Sequence, residues 1–108
     1  MAKYILVYKT DQAADLSLVP KEEIAKIMEA WGEWLGSMGS AVVDSGDAFN
    51  NNGKVLSSTG VKDADNLTTG YTIIEADNFD QALEMAQGNP SLKDGDKIEI
   101  YEAFGLEG

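Results

Sequence analysis

The chain has no cysteine, no histidine and no arginine. Without cysteine there is no disulfide framework, no thiolate nucleophile and no thiolate-bound metal. Without histidine, a Ser-His-Asp triad and histidine-bound zinc or iron sites are excluded. Without arginine there is no planar fork to clamp a phosphate or a carboxylate through two hydrogen bonds. The longest early apolar run, Tyr4-Ile5-Leu6-Val7-Tyr8, is too short for the core of a signal peptide or for a membrane span. Basic charge is scarce too, with eight lysines against nineteen acidic residues and a net charge of −11. Nucleic acid and anionic membrane surfaces both need a basic footprint, so neither is expected as a partner. The acidity itself serves solubility. These absences point to a cytoplasmic protein with no cofactor and no metal. Its proton-transfer groups are restricted to Asp, Glu, Lys and Tyr.

What is present reads as one domain. A chain of 108 residues holds one core, and 44% hydrophobic with 25% charged residues is ordinary globular composition. Lys3 to Lys9, "KYILVYK", is apolar on both faces and reads as a central strand. A polar loop, "TDQAADLSL", leads to Pro20, which suits the first turn of a helix. Ile24, Ile27, Met28, Trp31, Leu35 and Met38 then recur at helical spacing as one stripe, with Trp34 at its edge and Gly39 as the stop. "SAVVDSGDAF" reads as a short strand that breaks into a turn. Asn52-Gly53 in "NNNGK" is a hairpin signal, with "KVLSSTGV" as the returning strand. "KDADNLTTG" reads as connection.

The stretch Gly70 to Pro90, "GYTIIEADNFDQALEMAQGNP", holds a strand, a helix start, a helix and a stop. Tyr71 to Ile74 is a second central strand. Asn78 with Gln81 forms a capping box, and Gly88 and Pro90 end the helix. Lys97 to Phe104, "KIEIYEAF", alternates as an edge strand does. Two central and two edge strands with two helices predict an α+β fold: a ferredoxin-like split βαβ sheet in the order 4-1-3-2, carrying an inserted β-hairpin. One sheet face is left to either Tyr4, Leu6 and Tyr8 or Ile5 and Val7. That much apolar surface predicts a partner chain closing over it as a homodimer, in the manner of a dimeric α+β barrel.

Residues 1–108 as a single domain resemble the YCII-related family of small dimeric α+β barrel proteins. The resemblance rests on "KYILVYK", "VPKEEIAKIMEAWGEWLGSMG", "VVDSGDAF", "GYTIIEADNFDQALEMAQGNP" and "KIEIYEAF". It implies the fold, the dimer and a cleft between the start of the first helix and the end of the second. Two family features are missing. "KDADNLTTGY" stands where many relatives carry "DGPF", and Gly88-Asn89-Pro90-Ser91-Leu92 lacks the histidine common near that turn. The His-Asp pair proposed for one branch of the family corresponds here to Glu23 and Asn89.

Asp44-Ser45-Gly46-Asp47 places two carboxylates three residues apart at a strand end. Asp63, Asp65 and Asn66 resemble the start of a calcium loop, but Ile74 stands where the bidentate Glu belongs. Asp94-Gly95-Asp96 is turn chemistry. Tyr4, Tyr8, Tyr71 and Tyr101 can offer hydroxyls to a cavity. The expected ligand-binding residues are Glu23, Asp44, Asp47, Asn89 and Ser91. The function expected is a small-molecule-binding or regulatory homodimer. The alternative is a metal-free acid–base enzyme, an isomerase or lyase, with Asp44, Asp47 or Glu23 as base.

Overall fold

The structure, a computed structural model, describes residues 2–12 and 16–105. The centre of the loop after the first strand lies outside the described residues. Strand β1 (Ala2–Lys9) leads through a 3-10 turn (Leu16–Leu18) to helix α1 (Lys21–Met38). A second 3-10 turn (Gly39–Ala41) feeds the short strand β2 (Val42–Asp44). Strands β3 (Lys54–Ser57) and β4 (Gly60–Asp63) form a hairpin, and β5 (Thr68–Ala76) follows. Helix α2 (Phe79–Ala86), a 3-10 turn (Pro90–Asp94) and strand β6 (Lys97–Glu102) complete the chain.

The main sheet has the order β2-β5-β1-β6, and β3 and β4 stand apart as a two-stranded sheet. With the hairpin set aside, this is the ferredoxin-like order 4-1-3-2 read from the other edge, and the fold is α+β with the split βαβ connection. β1 pairs antiparallel with β5 (Ala2 opposite Ala76, Tyr8 opposite Gly70) and with β6 (Tyr8 opposite Ile98). That register brings the exit of β1, the entrances of β5 and β6 and the 3-10 turn after α2 to one end of the sheet.

The pleat decides which side chains form the core. Tyr4, Leu6 and Tyr8 on β1, with Thr72, Ile74 and Ala76 on β5, are buried beneath the helices. Ile5, Val7, Tyr71 and Ile73 alternate with them and are only half-buried on the uncovered face. The side of the sheet left open by sequence alone is therefore the Ile5–Val7 side.

The helix ends follow from local chemistry. Asn78 Oδ1 accepts from Gln81 N at 2.8 Å, and Gln81 Oε1 reaches back to accept from Asp77 N at 2.6 Å. Gly39, at φ 55°, caps α1 and donates its N–H to Leu35 O and Gly36 O. The stripe predicted on α1 holds only in its second half. Trp34 is the buried residue of the helix, and Trp31, Leu35 and Met38 pack against the core. Ile27 and Met28 are exposed in the single chain. Trp34 is thus centre rather than edge, because its indole drops between α1 and α2 and donates Nε1–H to Met85 O at 2.9 Å.

The predicted hairpin turn is also displaced. The chain reverses between Ser57 and Gly60, where Gly60 adopts φ 137°, and not at Asn52-Gly53. Gly53 sits instead at the hairpin root, donating its N–H to Asn66 Oδ1 at 2.9 Å and accepting from Ala64 N at 3.0 Å. Asn66 supplies that acceptor from a left-handed backbone conformation, φ 59°.

Candidate functional site

The converged end of the sheet holds a buried polar group in an aromatic setting. Thr72 lies mid-strand on the core side of β5 and is fully buried. Its hydroxyl accepts from Tyr8 Oη at 2.6 Å and donates to Ser45 O at 3.1 Å. Burial pushes the Tyr8 phenol up to about 12, against the opposing pull of Thr72 and Asn89 beside it. At neutral pH Tyr8 is therefore a neutral hydrogen-bond donor. Trp31 meets the Tyr8 ring edge-on at 4.8 Å between centroids, and Trp34 meets Trp31 in the same way at 5.6 Å. Gly88 makes room for this row, since a Cβ there would stand 3.1 Å from Trp34 Cδ1.

Asn89 closes the site from the far side. It caps the 3-10 turn after α2, with Oδ1 accepting from Ser91 N at 2.8 Å and from Ser91 Oγ at 2.6 Å. The residue is 2% exposed. Its Nδ2 lies near the Tyr8 oxygen but in no hydrogen-bond geometry, so this buried amide donor has no partner.

The segment after β2 is held against the entrance of β5 by backbone contact. Ala48 bridges to Gly70, and Tyr71 N donates to Asp47 O at 3.3 Å. Two glycines permit this. A Cβ on Gly46, whose φ is 78°, would fall 1.6 Å from Tyr71 O, and one on Gly70 would fall 2.7 Å from Asp47 O. The segment straddles the sheet edge. Ser45 O turns to the core side to meet Thr72, while the Asp44 carboxylate turns to the open side. There Asp44 Oδ2 accepts from Tyr71 Oη at 3.0 Å and Oδ1 accepts from Gly46 N at 2.9 Å. The Asp44 carboxylate holds the Tyr71 phenol above its ordinary range, first because it accepts the phenol's hydrogen bond and then because losing the proton would set a phenolate against a carboxylate.

The five residues expected from sequence are thereby divided. Asn89 and Ser91 are brought together by direct hydrogen bonds. Asp44 belongs to the opposite sheet face. Asp47 contributes its main chain, and its side chain is exposed. Glu23 is exposed on the first turn of α1. Among the described residues, none of the three carboxylates hydrogen-bonds to Tyr8, Thr72 or Asn89. Thr72 escaped sequence reasoning, although one polar residue at a core-facing position of the apolar run "YTII" is a signal of a buried polar contact.

Two concavities lie elsewhere. A hollow of about 360 Å³ at the hairpin root is lined by Phe49, Asn52, Gly53, Asn66 and Thr68, among others. A broad groove of about 810 Å³ between α1 and α2 is lined by Met38, Trp34, Met85 and Gly88, with Asp77 and Glu84 at its rim. Trp34 is the wall between that groove and the Trp31–Tyr8 pair. Among the described residues no helix is long and apolar enough to cross a membrane, and no three acidic side chains converge on a point that could hold a metal ion.

No protein-family profile matches the chain, and no curated protein matches it. Among solved structures, the chain is similar in fold to 5-chloro-2-hydroxyhydroquinone dehydrochlorinase from Burkholderia phenoliruptrix AC1100, solved in complex with 2,5-dihydroxybenzoquinone. The TM-score is 0.55 at 16% sequence identity, over 91% of this chain and 90% of that chain. At that identity the likeness is one of fold.

Proposed function

We propose that this chain is a small-molecule-binding homodimer of the YCII-related type, acting in the cytoplasm, with its ligand oriented beside Asn89. The observation that carries this reading is the unpaired Nδ2 of Asn89, 2% exposed and next to the neutral phenol of Tyr8. A buried donor left without an acceptor costs about 1–3 kcal/mol. A ligand oxygen placed there regains that energy, and an analogue lacking the oxygen does not. Asn89 and Ser91 form the floor of the site, Glu23 and Asp47 are placed at its outer rim, and Asp44, on the opposite sheet face, takes no part in it. The walls are Trp31 and Tyr8, which favour a flat apolar ring. The alternative, an acid–base enzyme with Asp44, Asp47 or Glu23 as base, needs one of those carboxylates within hydrogen-bond reach of the same spot. The exposed positions of Glu23, Asp44 and Asp47 weigh against it.

The homodimer is supported by the uncovered sheet face, where Ile5, Val7, Tyr71, Ile73 and Tyr101 lie side by side on three adjacent strands. Such a patch on a small chain marks an interaction surface.

The first probe is 2,5-dihydroxybenzoquinone, the compound bound by the structural neighbour, because it presents carbonyl oxygens on a flat ring. The test is a nuclear magnetic resonance titration reading the Asn89 side-chain amide and the Trp31 indole. Both signals are expected to move with the probe. Asn89→Asp keeps an oxygen toward Ser91 and removes the donor, so it is expected to weaken binding at least tenfold, roughly 1.4 kcal/mol. Shifts confined to Phe49, Asn52 and Asn66 would place the ligand in the hairpin-root hollow and overturn the site. A titration that moves none of these signals would overturn it as well.

A further inference from the structure

Two hydrogen-bond chains meet at the buried end of Tyr8, and each has a direction. The first starts at the main chain. Ser45 O is a carbonyl and can only accept, so the single proton of the Thr72 hydroxyl is committed to it at 3.1 Å. Tyr8 Oη stands 2.6 Å from the same Thr72 oxygen and therefore gives its own proton to it. What Tyr8 keeps on its free side is lone pairs. The second chain starts at Ser91. Its N–H can only donate, which fixes oxygen rather than nitrogen as the Asn89 atom that faces it. Ser91 Oγ donates to that same oxygen at 2.6 Å. What Asn89 keeps is the Nδ2 protons, which have no partner.

The free side of Tyr8 thus accepts, and the free side of Asn89 donates. The two lie close together without satisfying each other. Thr72 and Asn89 are both buried, so water does not blur the difference between a matched and a mismatched partner. A ligand hydroxyl accepts from Asn89 Nδ2 and donates to Tyr8 Oη. A carbonyl oxygen also accepts from Asn89, but it sets its lone pairs against those of Tyr8.

We infer that Thr72 determines ligand preference at this site: by taking the Tyr8 proton, it makes the site select a ring hydroxyl over a ring carbonyl. The inference rests on the ligand site proposed above and adds the chemical group that the site takes. Thr72 acts through Tyr8 and is a positioning residue. Its own proton is held by Ser45 O, in the segment that Gly46 and Gly70 let close on the strand β5.

The test compares hydroquinone with 1,4-benzoquinone, flat rings of nearly equal size that carry hydroxyls in one case and carbonyls in the other. The chain offers the quinone no cysteine to add to, and at about pH 6 its lysines are protonated. Affinities are read from the Asn89 side-chain amide by nuclear magnetic resonance titration in oxygen-free buffer. The proteins are the wild type, Thr72→Val and Thr72→Ser, with near-ultraviolet circular dichroism checking that each keeps the fold. The wild type is expected to bind hydroquinone more tightly than the quinone. Thr72→Val keeps the side-chain shape but removes the acceptor of the Tyr8 proton, so Tyr8 turns into a donor toward the ligand. The ratio of quinone to hydroquinone affinity is expected to rise at least tenfold, and comparing ratios cancels the different hydration of the two probes. Thr72→Ser keeps the hydroxyl and is expected to keep the wild-type ratio. If Thr72→Val loses the fold, Tyr8→Phe deletes the accepting oxygen itself and is expected to move the ratio in the same direction. A wild type that prefers the quinone overturns the inference and leaves the ligand site standing. So does a ratio unchanged in the valine or phenylalanine variant, or a serine variant that behaves as the valine one. A wild type whose Asn89 amide is moved by neither probe overturns both.

Discussion

On β1, Tyr4, Leu6 and Tyr8 are 2%, 0% and 5% exposed. Ile5 and Val7, one residue along in each case, stay half-buried. The two sets are both apolar, and they share one strand and the same two neighbouring strands. They differ in whether a layer lies on top. On the closed face, Trp34 and Trp31 from α1 and Ala82 and Ala86 from α2 supply that layer. On the open face Phe49 lies against Tyr71, and no α-helix of the described residues covers the rest. A strand that is apolar on both sides declares two buried faces, and a single copy of this chain fills one. The comparison teaches that burial of an apolar strand face depends on whether a second layer lies over it, and the described residues of one copy lay helices over only one face.

The largest expected effect breaks the closed face. Trp34→Ala removes a buried indole together with its hydrogen bond to Met85 O and is expected to destabilise by about 3–5 kcal/mol in urea melts. A loss below about 1 kcal/mol would show that α1 is not the lid of the core. The open face is broken by Ile73→Lys. Here the fold should survive, and the dimer dissociation constant should rise at least a hundredfold, about 2.8 kcal/mol, in sedimentation equilibrium. Unchanged association would show that the open face is not an interface.

Gly46→Ala acts where the two faces meet. The left-handed backbone at that position alone costs a non-glycine residue about 1–3 kcal/mol. The new methyl must also displace Tyr71 O, which moves both the Thr72–Ser45 and the Tyr71–Asp44 contacts. Thermal unfolding should show the loss, and a wild-type melting temperature would mean that the segment is not held as described.

The smallest effect is titration of Tyr8. Its folded-state phenol sits near 12, above the ordinary value of 10, so the protonated form is favoured by folding. The contribution is fully present below pH 10. Between pH 10 and 12 the unfolded chain has lost this proton while the folded chain retains it, so stability falls, by at most about 1.4 kcal/mol per pH unit. Tyr8→Phe should remove this part of the slope from urea melts compared at pH 9 and 11. Equal slopes in the two proteins would mean that Tyr8 is not buried as described.

Much of this arrangement was legible in the residues. Strand pairing followed from "KYILVYK" and "YTII", which are too apolar for edges, and from the alternation of "KIEIYE", which is not. Asn78, Gln81 and Gly39 announced their caps because capping is local chemistry. The hairpin was legible in kind but not in place. Asn52-Gly53 is a strong turn signal, yet tertiary contact with Asn66 and Ala64 took it for the root, and Ser57 to Gly60 made the turn. The α1 stripe was overread for a related reason. Periodicity says which residues share a side, not how far a sheet extends beneath them. The site was half legible. Asn89 and Ser91 are neighbours in sequence and cap their own turn. The approach of Thr72 and of Asn89 to Tyr8 spans 64 and 81 residues (72 − 8 and 89 − 8), which no local pattern encodes. The cap also bears on substitution at this site: Asn89→Ala loses the acceptor for Ser91 as well as the donor, so Asn89→Asp is the cleaner variant.

The perpendicular contact between Trp31 and Trp34 has an optical consequence. Two indoles this close share their excitation, and coupled chromophores in a fixed chiral arrangement give paired bands of opposite sign in circular dichroism. The chain thereby carries its own gauge of the distance between α1 and the sheet. A guest that slid beside Tyr8 would tilt Trp31 and change the couplet without any added dye, whereas one bound at the hairpin root would leave it alone.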